Sequence, residues 1–153
     1  MKTAQQWLDE YGESHRNPTN KLIHWVCVPA IMFSLIGLLW AIPSPLADFS
    51  GLANWGTAFL LIAVVYYFVL SVPLAFGMVM VAILTAVGVW LVDRLATPLW
   101  QISAAVFVIA WIGQFIGHKI EGKKPSFFKD IQFLLIGPLW LLGFIYRRLN
   151  IKY

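Results

Sequence analysis

Charge is scarce in this chain. Asp, Glu, Lys and Arg make up 12% of its 153 residues while 60% are hydrophobic, and the apolar residues stand in long blocks instead of alternating with polar ones. A soluble core of this size could not hide that much apolar side chain, so a water-soluble globular fold is excluded. Cysteine is nearly absent too. Cys27 stands alone, which excludes an intramolecular disulfide and argues against a structural zinc site, and leaves a thiol whose simplest role is packing inside an apolar helix. The opening residues Met1 to Trp7 have no apolar stretch followed by a small-residue cleavage site, so no signal peptide is expected and the first apolar helix is expected to insert itself. Internal repeats and low-complexity tails are missing, which favours a single domain. There is no phosphate-binding glycine loop, serine-hydrolase elbow or dinucleotide fingerprint, and those enzyme classes are set aside. The net charge of +4 does not point to nucleic acid, because the basic residues sit at the ends of the apolar blocks and read as topology signals.

What is present reads as an all-α integral membrane protein, one membrane domain over residues 1–153. Residues 1–17 form an interfacial segment in which Trp7, Leu8 and Tyr11 recur at helical spacing. Asn17 is a good N-cap and Pro18 suits the first helical position, so a first span runs over about 18–41 until Pro43 and Pro45 stop it. From Leu52 to Trp90 the chain is almost unbroken apolar, about twice the roughly 20 residues one crossing needs. Two helices must fold back on each other, and Ser71-Val72-Pro73 is the natural hinge. Spans are expected over about 54–70, 74–91 and 99–121, the last ended by Gly122, Lys123, Lys124 and Pro125. A fifth apolar segment, 131–146, is interrupted by Gly137-Pro138.

Lysine and arginine set the orientation. Lys2, Arg16 and Lys21 precede the first span, Lys119, Lys123, Lys124 and Lys129 follow the fourth, and the loop over 43–51 has none. Four crossings therefore put both basic clusters, and the amino terminus, in the cytoplasm. A full fifth crossing would carry Arg147, Arg148 and Lys152 outside, so the fifth segment is expected to be re-entrant or interfacial. The chain is a multi-pass protein of the cytoplasmic membrane if bacterial, or of the endoplasmic reticulum if eukaryotic.

This topology gathers all three histidines, His15, His24 and His118, at one membrane surface. Asn20 and His24 share one helix face, and Gln114, His118 and Glu121 share another. Polar side chains in spanning helices are costly unless they meet each other, water or an ion, so both stripes face inward. Gly113 and Gly117 let a neighbouring helix approach closely beside His118. A lone interfacial histidine is usually a polar anchor, but three together point to a metal site, with a proton relay or a purely structural network left open. Glu121 could equally pair with Lys124 at the surface. Imidazole and carboxylate ligands with open positions suit iron(II).

Two ordered motifs bring a resemblance into view. Tyr11, His15-x-Asn17-Pro18-x-Asn20-x-x-x-His24 and Pro29, then Trp111-Ile112-x-Gln114-Phe115-x-Gly117-His118-x-x-Glu121 with Pro125 and Asp130, are similar to the family of small membrane proteins typified by the fungal endoplasmic-reticulum 2-hydroxy fatty acid dioxygenase. The resemblance covers essentially the whole chain. It implies an iron(II)-dependent, oxygen-consuming alpha-oxidation that shortens a long-chain 2-hydroxy fatty acid by one carbon at the cytoplasmic interface, with membrane lipid and dioxygen as the other partners. It further implies His15, His24 and His118 as catalytic metal ligands, Glu121 as a fourth ligand or a support, and Asn17, Asn20 and Gln114 as residues that orient the ligands. Arg16 and Lys124 are candidates for the substrate carboxylate, and zinc would be an inactive substitute for iron. The competing readings are a proton- or ion-conducting protein and a non-catalytic scaffold with a structural histidine network. Conduction would put ionisable groups near mid-bilayer and on both sides, whereas here they concentrate at one end.

Overall fold

The computed structural model describes residues 2–45, 51–125 and 132–153, and every regular element among them is a helix. The first, α1 (Ala4–Gly12), opens with a capping box in which Thr3 and Gln6 each bond the other's backbone N–H. Its apolar face, Trp7, Leu8 and Tyr11, is buried. Next comes α2 (Pro18–Trp40), which begins where the proline signal puts it: the Asn17 side chain accepts the Thr19 N–H at 2.9 Å, and Pro18 occupies the first turn.

The long apolar block divides into α3 (Trp55–Leu70) and α4 (Val72–Val92). The break is one residue, Ser71, with extended backbone at φ −165°, and its hydroxyl caps the start of α4. The third expected span therefore starts at Val72 and not at residue 74. Pro73 falls in the first turn, where its missing N–H has no helical partner to lose. The two helices form an antiparallel hairpin, since Leu60 of α3 and Val89 of α4, both remote from Ser71, pack into one cluster with Ile36 and Trp40 of α2. Then α5 (Leu99–Glu121) returns antiparallel to α2: Gly37 faces Ser103 at one end, and Gly113 and Gly117 face Cys27 and Asn20 at the other. The glycine pair does permit a close neighbour, and that neighbour is α2. Gly122, at φ +72°, ends α5 in the left-handed region, with the Lys123 N–H returned to the His118 carbonyl.

Among the described residues three helices, α2, α4 and α5, are long and apolar enough to cross a membrane. With 16 residues α3 is shorter, about 24 Å against a hydrocarbon core of about 30 Å. It starts level with the end of α2, where the Trp55 Nε1–H donates to the Pro43 carbonyl at 3.2 Å. Large apolar side chains such as Leu61, Ile62, Val69, Leu84 and Ile109 point outward from these helices, a surface that suits lipid and not water.

The last element, α6 (Phe133–Arg148), is one continuous helix through Pro138, so this segment does not dip and return, and it runs two residues past the expected limit at 146. Both its ends touch the end of the bundle where α3 gives way to α4: the Tyr67 hydroxyl donates to the Leu135 carbonyl at 2.8 Å, and the Tyr146 hydroxyl to the Pro73 carbonyl at 2.9 Å. It lies across that end, and α1 packs upon it through Trp7 against Phe133 and Tyr11 against Trp140. The apolar face of α1 thus meets protein, not lipid as an interfacial segment would. Lys129, Asp130, Ile131 and most of the 43–51 loop lie outside the described residues.

Candidate metal centre

The capped end of the bundle is where the histidines converge. His24 stands in the second turn of α2, His118 in the last turn of α5, and His15 on the short link between α1 and α2. All three are buried, at 1%, 0% and 4% exposure for His15, His24 and His118. Each offers a ring nitrogen, and these three nitrogens lie within 4.8 Å of one another. The ring centroids are 4.2 to 5.0 Å apart.

Two backbone carbonyls fix the ring tautomers. His15 Nδ1 lies 2.6 Å from the Tyr11 carbonyl and His24 Nδ1 lies 2.9 Å from the Asn20 carbonyl. A carbonyl only accepts, so both Nδ1 atoms carry the proton, and the Nε2 atoms of neutral rings keep bare lone pairs. Those two Nε2 atoms face each other at 2.8 Å. Two lone pairs at that distance repel unless a cation lies with them. Burial above all, and then the charge of His24, pushes the His15 imidazole from 6.5 down to about 3, so the ring is neutral and ready to bind a metal at ordinary pH. The Nδ1 of His118 is buried with no hydrogen-bond partner among the described residues. Facing lone pairs and an orphaned third nitrogen fit a divalent cation, and bonding Nδ1–H to backbone is the usual way of aiming a ligating imidazole.

The remaining expected site residues fall into distinct places. Glu121 accepts the backbone N–H groups of Arg16 and Asn17, both at 2.8 Å, and the Asn20 Nδ2–H at 3.1 Å. It ties the His15 link to the end of α5. Asn20 also donates to the Ser14 carbonyl at 3.2 Å, so its side chain holds the link while its backbone carbonyl orients His24. Asn17 serves as the N-cap of α2. Gln114 is buried one turn before His118, within reach of the His24 ring. Arg16 and Lys124 are both exposed. Arg16 borders a surface pocket shared with His15, Lys21 and Arg147 and does not line the main cavity; Lys124 borders neither.

Two residues of the site had been given no role. Tyr11 stacks on His15 with centroids 4.2 Å apart and planes 12° from parallel, and Trp140 of α6 packs on the same ring at 5.2 Å. The interval of four between Tyr11 and His15 could have flagged the first. Nothing local flags Trp140, which α6 brings in from 125 positions away.

A cavity of about 380 Å³ opens beside His118, which lines it, while His15 and His24 stand behind that wall. Tyr11, Gln114, His118 and Gln132 bring polar atoms to one end of it. From there it runs between α2, α3 and α5 to Leu35, Ile36 and Leu60, past walls that are otherwise apolar. A polar head at the histidines and an apolar chain among the helices is the shape of molecule it suits.

Residues 1–149 match a sequence family described as Mpo1-like, 2-hydroxy-palmitic acid dioxygenase Mpo1-like. The chain is also 26% identical over 137 residues to the 2-hydroxy-palmitic acid dioxygenase MPO1 of Saccharomyces cerevisiae, an overlap of 88% of this chain and 75% of the relative. No solved structure matches it.

Proposed function

This chain belongs to the Mpo1-like family, and from that premise we propose that it is an iron(II)-dependent dioxygenase that shortens a long-chain 2-hydroxy fatty acid by one carbon at a membrane surface. The observation that carries the reading is the buried triad of His15, His24 and His118, one member of which, His118, lines the polar end of an otherwise apolar cavity. The reaction balances without a further cofactor. The C1–C2 bond breaks, C2 becomes the new carboxyl carbon, C1 leaves as carbon dioxide, and one dioxygen accepts the four electrons released and ends in the acid and one water. That agrees with a sequence lacking any nicotinamide- or flavin-binding fingerprint.

His15, His24 and His118 would hold the iron. Bound there, iron(II) would supply the meeting point for the hydroxy acid and dioxygen and the electron exchange that unactivated dioxygen requires. The rest of the chemistry falls to the chain. The Tyr11 and Asn20 carbonyls keep both Nδ1 atoms protonated and both Nε2 atoms free. Tyr11 and Trp140 cover His15 and exclude water. Gln114 stands at the polar end of the cavity, where it can hydrogen-bond the hydroxyl or carboxylate of the head group.

The test uses protein in detergent, loaded anaerobically with iron(II) and then given oxygen. A long-chain 2-hydroxy acid is expected to yield the acid one carbon shorter, while the unhydroxylated acid, lacking the second oxygen for a chelate, reacts poorly. Zinc is expected to bind and support no turnover, since it cannot change oxidation state. Folded, iron-loaded protein that consumes no oxygen across a range of 2-hydroxy acid lengths would sink the reaction while leaving the metal centre standing.

A further inference from the structure

The cavity ends in packed core. On α5 it is lined from His118 back to Phe107, eleven residues or about 16 Å of helix. Over the same depth it passes from Val28 to Ile36 on α2 and from Tyr67 to Leu60 on α3. Ile36 and Leu60, at 0% and 8% exposure, then join Trp40, Val89 and Leu99 in a tight cluster that closes the bundle at the far side. Midway down, the wall includes a small side chain, Ala63 on α3, and at the floor Ala82 of α4 packs against that cluster. The space is therefore roomy at half depth and stopped at the bottom.

We propose that the acyl chain of the substrate lies down this cavity and that Leu60, with Ile36 beside it, sets the longest chain that fits. This rests on the reading of the histidine end as the head-group site. An acid whose tail stops short of Leu60 leaves space, whereas one that reaches further must displace close-packed side chains, and such overpacking weakens binding by about fivefold or more. Ala63 holds the middle open and Ala82 leaves room just above the floor, so enlarging Ala63 is expected to act as a false floor and enlarging Ala82 to raise the floor itself.

Binding measured on metal-loaded protein under anaerobic conditions tests this without requiring turnover. A series of straight-chain 2-hydroxy acids of increasing length competes against a fluorescent fatty acid, and the readout is the longest acid that keeps full affinity. Leu60→Ala, which removes three carbons, is expected to raise that limit by up to about three methylenes. Ala63→Leu is expected to lower it while short acids bind as before. If Leu60→Ala does not fold, Ala63→Leu and Ala82→Leu carry the test. A limit that stays fixed in the folded variants overturns the proposal. That result is expected if the tail leaves sideways into lipid between α3 and α5, which both line the cavity and pack on each other sparsely at most. The two readings fail separately. Length limits that shift for hydroxylated and plain acids alike, with no dependence on the histidines, uphold the floor and remove the head-group site; histidine-dependent binding with an unmoved limit does the reverse.

Discussion

Both oxygens of Glu121 are engaged, by the Arg16 and Asn17 backbone N–H groups and by the Asn20 carboxamide. A carboxylate so occupied has little left for a cation, and its place in the site is as the clamp that sets where His15 stands. Glu121→Gln replaces one acceptor with an NH₂ group that must face an N–H donor, so the link loosens while the three imidazoles remain. Metal affinity is expected to fall by about 10–100-fold, the range for residues that support ligands. His118→Ala, which removes a ligand, should abolish stoichiometric metal in protein that remains folded. Metal analysis and circular dichroism on both variants check the difference. Glu121→Gln losing metal as completely as His118→Ala would put Glu121 among the ligands.

At the scale of elements, the α2–α5 contact is the most extensive in the fold and is built on small residues. A side chain added at Gly117 would strike Asn20 Oδ1, and Asn20 is pinned by its bonds to Ser14 and Glu121. One added at Gly37 would strike Ser103 Oγ, which has no hydrogen-bond partner among the described residues and can rotate away. Gly117→Ala is therefore expected to cost about 1–3 kcal/mol, the usual range for overpacking, and to weaken metal binding by shifting Asn20. Gly37→Ala should cost less and leave metal binding alone. Thermal unfolding in detergent with metal titration separates them, and equal effects of the two on both measures would contradict the geometry.

At the scale of the molecule, α6 reconciles the charge pattern. Because it lies across the histidine end of the bundle, Arg147 and Arg148 join Lys21, Lys119, Lys123 and Lys124 on one side, while Arg94 is on the other, stacked over Trp90 at 3.5 Å. By the positive-inside rule the histidine end is expected to face the cytoplasm, which is where the proposed head-group site would then lie. In intact cells, a membrane-impermeant maleimide should label Ser44→Cys and spare Lys124→Cys, each made in a Cys27→Ala background. The opposite pattern would invert the orientation.

The helices were legible because their determinants are local. Asn17-Pro18 starts α2 and Gly122 ends α5 through backbone groups a few residues away, and a run of apolar side chains marks a helix by its own length. The convergence of His15, His24 and His118 was legible for the same reason, since helices that alternate in direction bring the start of α2 and the end of α5 to one end of the bundle. The hinge falls within Ser71-Val72-Pro73 as expected, but the helix after it starts two residues earlier than expected, at Val72, because proline tolerates the first turn of a helix as readily as it ends one. What local pattern could not decide was everything set by packing between distant segments. Whether the last apolar segment crosses, dips or lies flat depends on Tyr67 and Tyr146 bonding its carbonyl and its end to the α3–α4 turn. Likewise the seal of Trp140 over His15, the capture of the Arg16 and Asn17 N–H groups by Glu121, and the cavity that stops at Leu60 join residues tens to more than a hundred positions apart. Sequence fixes which side chains are on offer at each helix face. Only the close packing of helices against one another decides which of them meet, because that outcome depends on the shapes of all the faces at once.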